Sequence, residues 1–169
     1  MATGKTAVRN APARAAGALR GRLFIVRRSG VHGKGGFALQ RIPKGTRIIE
    51  YVGEVISWQA VWRRYPDHGE GQEQNHTFLF AIDDERVIDG NCGGNSSRWI
   101  NHSCAPNCEV SGEDSRIFIS ARRTIREGEE LTYDYNIQLE ERHTATVKKR
   151  YICLCGARSC RGTILARKR

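Results

Sequence analysis

No acidic residue appears before Glu50, and residues 142–169 likewise lack any acid, while these two ends carry eleven and nine Lys or Arg respectively. All eighteen acids fall in residues 50–141, against eight basic residues there, so the formal net charge of +10 conceals basic ends framing an acidic centre. No apolar run approaches the ~20 residues of a membrane-spanning helix. The start has no apolar stretch of signal-peptide type, so an intracellular protein without a secretory signal or transmembrane segment is expected. No repeats are evident. The segment Thr3-Gly-Lys-Thr6 imitates the end of a phosphate-binding loop, but the upstream glycine and the preceding strand are missing, which excludes an ATP site. Residues 1–21, rich in Ala and Arg, read as a disordered basic tail.

What remains is a pattern of short strands with little helix. Residues 22–27 read as a first strand, residues 29–36 as a glycine-rich loop, and residues 47–52 as a strand after a Pro43-Lys-Gly45 turn. The best helix runs from Ser57, a capping residue, to Tyr65, with Trp58, Val61, Trp62 and Tyr65 three or four apart and Pro66 ending it. Residues 67–74 are polar loop, residues 76–82 and 86–88 strands around an acidic turn, residues 95–99 a short helical turn, and residues 116–120 a strand. Residues 137–150 read as a linker. A mostly β domain follows from this pattern.

Six cysteines are present, and their spacing is informative. Cys153-Leu-Cys155 followed by Cys160 offers three thiolates, one short of a tetrahedral zinc site, and Cys104 in Asn101-His-Ser-Cys104 is a candidate for the fourth. Three disulfides are the competing reading. A Cys-x-Cys pair is cramped for mutual bonding and nothing points to an oxidising compartment, so zinc is favoured, with Cys92 and Cys108 left as buried or unpaired thiols.

Four motifs occur in one order: His32-Gly-Lys-Gly-Gly-Phe-Ala38; Arg98-Trp-Ile-Asn-His-Ser-Cys-Ala-Pro-Asn-Cys108; Glu129-Glu-Leu-Thr-Tyr-Asp-Tyr135; and the Cys153, Cys155, Cys160 knuckle. Together they resemble a SET-domain protein lysine methyltransferase with its post-SET zinc motif, over roughly residues 23–165. The resemblance implies small curved sheets around a knot-like crossing of the C-terminal Tyr-Asp-Tyr segment. It implies a basic tail at 1–21, a catalytic domain at 22–137, a linker at 138–150, and a zinc motif with a basic tail at 151–169.

The same resemblance implies a chemistry: a methyl group passes from S-adenosylmethionine to a lysine amine held in line. Tyr135 falls at the catalytic tyrosine. Tyr133 falls at a Phe/Tyr switch, where tyrosine leans toward monomethylation, with dimethylation next. Asn101 and His102 resemble the cofactor-binding pair, His32, Gly33 and Lys34 the glycine loop, and Leu154 the residue covering the adenine. Phe78 stands where many relatives have tyrosine, so one hydroxyl contact is lost. Cys104, Cys153, Cys155 and Cys160 would hold one structural zinc ion, with no open position for water.

The implied partner is a Lys-rich tail, of a histone or a bacterial DNA-packaging protein, which an acidic cleft attracts at long range. Without a cysteine-rich segment before the domain, the chain resembles compact stand-alone SET proteins, including bacterial ones. Its place would be the cytoplasm of a bacterium, or chromatin if it acts on histones. The basic ends are open to two readings, weak salt-sensitive contact with nucleic acid or plain solvation. The competing function is a zinc-stabilised chromatin or nucleic-acid binding module without turnover, which would not bind S-adenosylmethionine.

Overall fold

Strand β1 (Phe24–Arg28) turns back on β2 (Lys34–Ala38) in an antiparallel pair that runs from Phe24 opposite Ala38 to Arg28 opposite Lys34. The computed structural model describes residues 21–66, 78–139 and 141–167, and within them ten strands and two α-helices are found. The stretch 29–36, expected as loop, thus becomes strand from Lys34 onward. The reason is steric. A Cβ at Gly36 would come within 2.9 Å of the Phe24 ring, and one at Gly35 would strike the Glu130 carboxylate, so glycine is what lets this strand be sandwiched.

The remaining strands are β3 (Arg47–Tyr51), β4 (Glu54–Ser57), β5 (Leu79–Ala81), β6 (Arg86–Asp89), β7 (Asn101–His102), β8 (Cys108–Glu113), β9 (Arg116–Ala121) and β10 (Glu130–Tyr133). They form three small sheets, ordered β1-β2-β10-β7, β3-β9-β8 and β4-β6-β5. The mostly β architecture of small sheets expected from the sequence is the one observed. Expected strands at 47–52, 86–88 and 116–120 coincide with β3, β6 and β9 to within a residue at their ends. The strand expected over 76–82 is present as β5, with residues 76 and 77 outside the described residues.

The pairing of β10 with β7 positions the site. It is parallel, with Thr132 opposite Asn101 and Tyr133 opposite His102, so the two central motifs lie side by side despite their distance in sequence. Asn107 fastens the arrangement. Its Nδ2 donates to the Glu130 carbonyl at 2.8 Å, and its Oδ1 accepts from the Thr132 N–H at 2.9 Å, leaving this buried amide satisfied on both sides. Beneath lie Ile100, Ile119, Ile125 and Leu131, each 1% exposed or less. Burial of each such side chain contributes about 1.5–3 kcal/mol.

Helix α1 (Trp58–Arg64) begins as expected, with Ser57 Oγ accepting from the Ala60 N–H at 3.2 Å. Its apolar spacing does not define a wholly buried face: Val61 is buried, while Trp62 is 64% exposed. A helix of seven residues makes too few turns to bury a stripe, and a charged contact anchors it instead. Arg64 Nη1 and Tyr65 Oη reach the fully buried Asp89 carboxylate at 2.6 and 2.8 Å. A second helix, α2 (Ala145–Arg150), lies within the span expected as linker, capped by Thr144, whose Oγ1 accepts from the Val147 N–H. Only Val147 of this helix is buried, so its sequence has no apolar stripe to announce it.

Candidate active site and metal centre

Tyr133 ends β10 and Tyr135 follows it, and their rings lie 4.8 Å apart. Tyr135 is held at both ends. Its hydroxyl donates to the Ile100 carbonyl at 3.0 Å and its backbone N–H donates to His102 Nδ1 at 3.0 Å. Tyr133 is buried, and its hydroxyl makes no protein hydrogen bond among the described residues. Phe80 packs against Tyr133 at 6.1 Å and against Tyr51 at 5.1 Å, so four aromatic rings line one region. Burial raises the phenol pKa of Tyr133, Tyr135 and Tyr51, so all three hydroxyls keep their protons near neutrality.

Tyr51 and Phe80 were not singled out from sequence. Each sits on a strand, Tyr51 closing β3 and Phe80 central in β5, and strand alternation says only that a residue faces inward. The Tyr51 hydroxyl donates to the Phe78 carbonyl at 3.0 Å, tying these strands together beside the tyrosine pair. Phe78 itself meets Trp99 edge to face at 4.9 Å.

His102 joins the tyrosines to the cysteines. Because Nδ1 accepts the Tyr135 N–H, the ring proton belongs on Nε2, which lies 3.4 Å from Cys104 Sγ. Burial pushes the imidazole down to about 4, opposed by Asp134 and assisted by Arg161, so the ring is neutral at pH 7 and keeps this tautomer. A ring N–H directed at a sulfur is the outer contact that orients a thiolate ligand.

The ligand atoms of Cys104, Cys153, Cys155 and Cys160 all lie within 4.8 Å of one another, with the Cys104 and Cys153 sulfurs 3.7 Å apart. Tetrahedral zinc with Zn–S of ~2.3 Å requires sulfurs ~3.8 Å apart, so a modest contraction suffices. Backbone N–H groups already point at the sulfurs: Arg161 to Cys104 at 3.3 Å, Gly162 to Cys160 at 3.4 Å and Cys155 to Cys153 at 3.5 Å. Such donors stabilise thiolate. Burial pushes the Cys104 and Cys153 thiols up, while at Cys155 burial is outweighed by backbone N–H groups and the neighbouring thiols, which draw that group down to about 6, so one member of the cluster ionises readily and the charge of a metal ion is needed for the others. The donor set therefore fits a structural zinc ion. Of the other two cysteines, Cys108 is buried and pushed up to about 12 by that burial, and Cys92 lies 3.4 Å from Arg64 Nη1.

The glycine loop approaches from β2. Asn101 Nδ2 donates to the Lys34 carbonyl at 2.9 Å and to Glu130 Oε1 at 2.8 Å, and lies 3.4 Å from the His32 carbonyl. The Asn101 amide is thus committed to the loop, and the loop is fixed against β10. Glu130 also accepts from Ser29 Oγ at 2.7 Å, a role for which the sequence offers no local signal. Gly33 has φ of +43°, and a Cβ there would meet nothing within 4 Å, so the loop borders open space. Lys34 Nζ lies 4.7 Å from the Trp99 ring centre, and Leu154, between two zinc-site cysteines, is 56% exposed.

The SET domain family model matches residues 33–136, more than half of the chain. A histone-lysine N-methyltransferase, H3 lysine-4 specific, of Mycosarcoma maydis is 41% identical over 79% of the chain, and one from Schizosaccharomyces pombe is 41% identical over 79%. The chain spans 9% and 14% of the lengths of these two relatives. Among solved structures, a humanized mutant of the Chaetomium thermophilum Polycomb Repressive Complex 2 bound to the inhibitor GSK126 aligns with a TM-score of 0.58 and 31% identity, covering 68% of this chain and 15% of that one. The matched segment takes in the glycine loop, the Asn101–Cys104 stretch and both tyrosines, and on that basis the chain belongs to the SET domain family.

Proposed function

We propose that this chain is a protein-lysine N-methyltransferase that takes its methyl group from S-adenosylmethionine and acts on the tail of a histone. The observation that carries the reading is the pair Tyr133–Tyr135, walled by Tyr51 and Phe80 and fixed through His102 to the four-cysteine cluster. An aromatic channel accepts a lysine stem and tolerates a cation. The two named relatives carry H3 lysine-4 specificity in their descriptions, which supports the fourth residue of the histone H3 tail as the substrate lysine and chromatin as the place of action.

S-adenosylmethionine, when bound, supplies an electrophilic methyl group on a sulfonium. The open margin at Gly33, the exposed Leu154 and the fixed backbone of His32, Lys34 and His102 are the parts of this chain that fit it, with Asn101 holding the loop in shape. Phe78 contributes an apolar surface next to Trp99 rather than a hydroxyl. Tyr135 orients the reacting groups through its hydroxyl, anchored on the Ile100 carbonyl. Since its phenol pKa is raised, it acts as a hydrogen-bonding group and not as a base, and the lysine proton leaves through water. Holding both reactants in attack geometry supplies much of the rate enhancement.

The Tyr133 hydroxyl, free of protein partners among the described residues, is placed to hydrogen-bond the incoming amine and to restrict its rotation once methylated. Monomethyl-lysine is therefore the expected product. The zinc ion, held by Cys104, Cys153, Cys155 and Cys160, is structural, because four thiolates leave no position for water. Incubation with S-adenosylmethionine and an H3 tail peptide, read by peptide mass spectrometry, tests this function: methyl-lysine at the fourth position of the tail supports it, and an unmodified panel of histone peptides contradicts it.

A further inference from the structure

A cavity of about 450 Å³ lies between α2 and the segment after the cysteine knuckle, and its chemistry differs from that of the aromatic site. Its walls include Arg142, Lys148, Arg161 and Arg167, together with His143. Two of these present buried nitrogen atoms without a hydrogen-bond partner among the described residues, His143 Nε2 and Arg161 Nε. Burying such atoms unpaired costs free energy, and an anionic ligand would supply acceptors. Within the wall itself Arg161 pairs through its terminal nitrogens with Asp134, and Glu141 pairs with Arg150 at 2.9 Å, so the unbalanced positive charge of the cavity comes from Arg142, Lys148 and Arg167. Arg142, Lys148 and Arg167 are exposed at the rim, and no acidic residue occurs anywhere from 142 to 169.

We propose that this cavity binds a backbone phosphate of duplex DNA, with Arg142, Lys148 and Arg167 taking that phosphate and its neighbours and the buried face of Arg161 and His143 lining the seat. DNA is favoured over a phosphopeptide because Lys149, next to Lys148 on α2, is exposed as well, and nine Lys or Arg with no acid over residues 142–169 suit a run of phosphates rather than one. The site does not use the aromatic channel, and it stands whether or not the chain transfers methyl groups.

The zinc-loaded full chain is titrated with a fluorescent duplex of about 20 base pairs between about 50 and about 200 mM salt. Wild type is expected to bind with strongly salt-dependent affinity. The triple substitution Arg142→Ala/Lys148→Ala/Arg167→Ala is expected to weaken binding ~tenfold or more and to flatten the salt slope by roughly two to three. A control with equal charge loss outside the cavity, Arg22→Ala/Arg41→Ala/Lys44→Ala, is expected to weaken it less than ~threefold. Should the cavity triple lose zinc or unfold early, the double Arg142→Gln/Arg167→Gln, which leaves α2 intact, takes its place. No DNA binding by wild type, equal weakening by both sets, or binding of a phosphoserine peptide in preference to DNA would each overturn the proposal. Methyl transfer to a free peptide, measured alongside, is expected to be the same in wild type and cavity variant.

Discussion

Arg161 grips Asp134 with two parallel hydrogen bonds, Nη1 to Oδ2 at 2.6 Å and Nη2 to Oδ1 at 2.8 Å. The pair joins the two halves of the site. Asp134 stands between Tyr133 and Tyr135, and Arg161 follows Cys160 while its own N–H donates to Cys104 Sγ. A planar guanidinium meeting a carboxylate in this way fixes direction as well as distance, which lysine cannot reproduce. The cysteine knuckle is thereby geared to the tyrosine segment by a side-chain contact as well as by the His102 bridge.

Arg161→Lys is accordingly expected to lower kcat more than it lowers stability. The loss of a charge-assisted pair costs about 1.5–3 kcal/mol at most, and the lysine recovers part of it. Turnover and unfolding midpoint measured on the same sample check this. Stability lost without any change in kcat would show that the clasp is structural alone.

Tyr133→Phe removes one hydroxyl from a buried position that makes no protein hydrogen bond among the described residues, so folding is expected to change little. The product is expected to shift toward di- and trimethyl-lysine, because the methylated amine gains room to rotate. Product distribution by mass spectrometry at equal total turnover is the readout. An unchanged distribution would reject the role assigned to this hydroxyl.

Cys155→Ser is expected to drop zinc below one ion per chain and to loosen residues 151–167. Chelation of the wild type should mimic it, with transfer falling through disorder of the knuckle, and added zinc should restore activity. Metal analysis with limited proteolysis measures both. Stoichiometric zinc in the variant would show that the four-cysteine set is misassigned.

Asp89 carries a pH prediction away from the metal. Burial alone would raise its carboxyl, but hydrogen bonds from Arg64, Tyr65 and the Asn91 N–H outweigh that and hold it below the usual carboxylate range. A depressed folded-state pKa contributes stability that is present above the unfolded value of ~3.9 and disappears as pH falls through the folded value. Asp89→Asn is therefore expected to cost about 1–3 kcal/mol at pH 7, with the gap to wild type closing below about pH 4. Urea unfolding of both proteins across that range checks it, and a gap constant with pH would contradict the assignment.

The sequence made local features legible because they rest on local physics. Ser57 announces a helix start by its cap, and three cysteines at close spacing announce part of the four-cysteine cluster. The motifs around Asn101 and Tyr135 identify the family. It was silent where the cause is non-local. Nothing near Lys34 says that its strand needs Gly35 and Gly36 to pass Glu130 and Phe24. Tyr51 and Phe80 become neighbours of the tyrosine pair only when β3 and β5 meet β10, and Asn107 becomes a clamp only when β10 lies beside it. Helix α2 was hidden for a different reason: one buried residue in six gives no periodicity to read.

The catalytic role proposed for Tyr135 is tested most directly by comparing wild type with Tyr135→Phe for methyl transfer to an H3 tail peptide, with S-adenosylmethionine saturating and cofactor binding measured separately. Methyl-lysine is expected from wild type, and a loss on the order of 10²-fold or more in the variant, as for removal of other positioned hydroxyl or amide donors, with cofactor affinity and folding retained. Turnover in Tyr135→Phe equal to wild type would contradict that role.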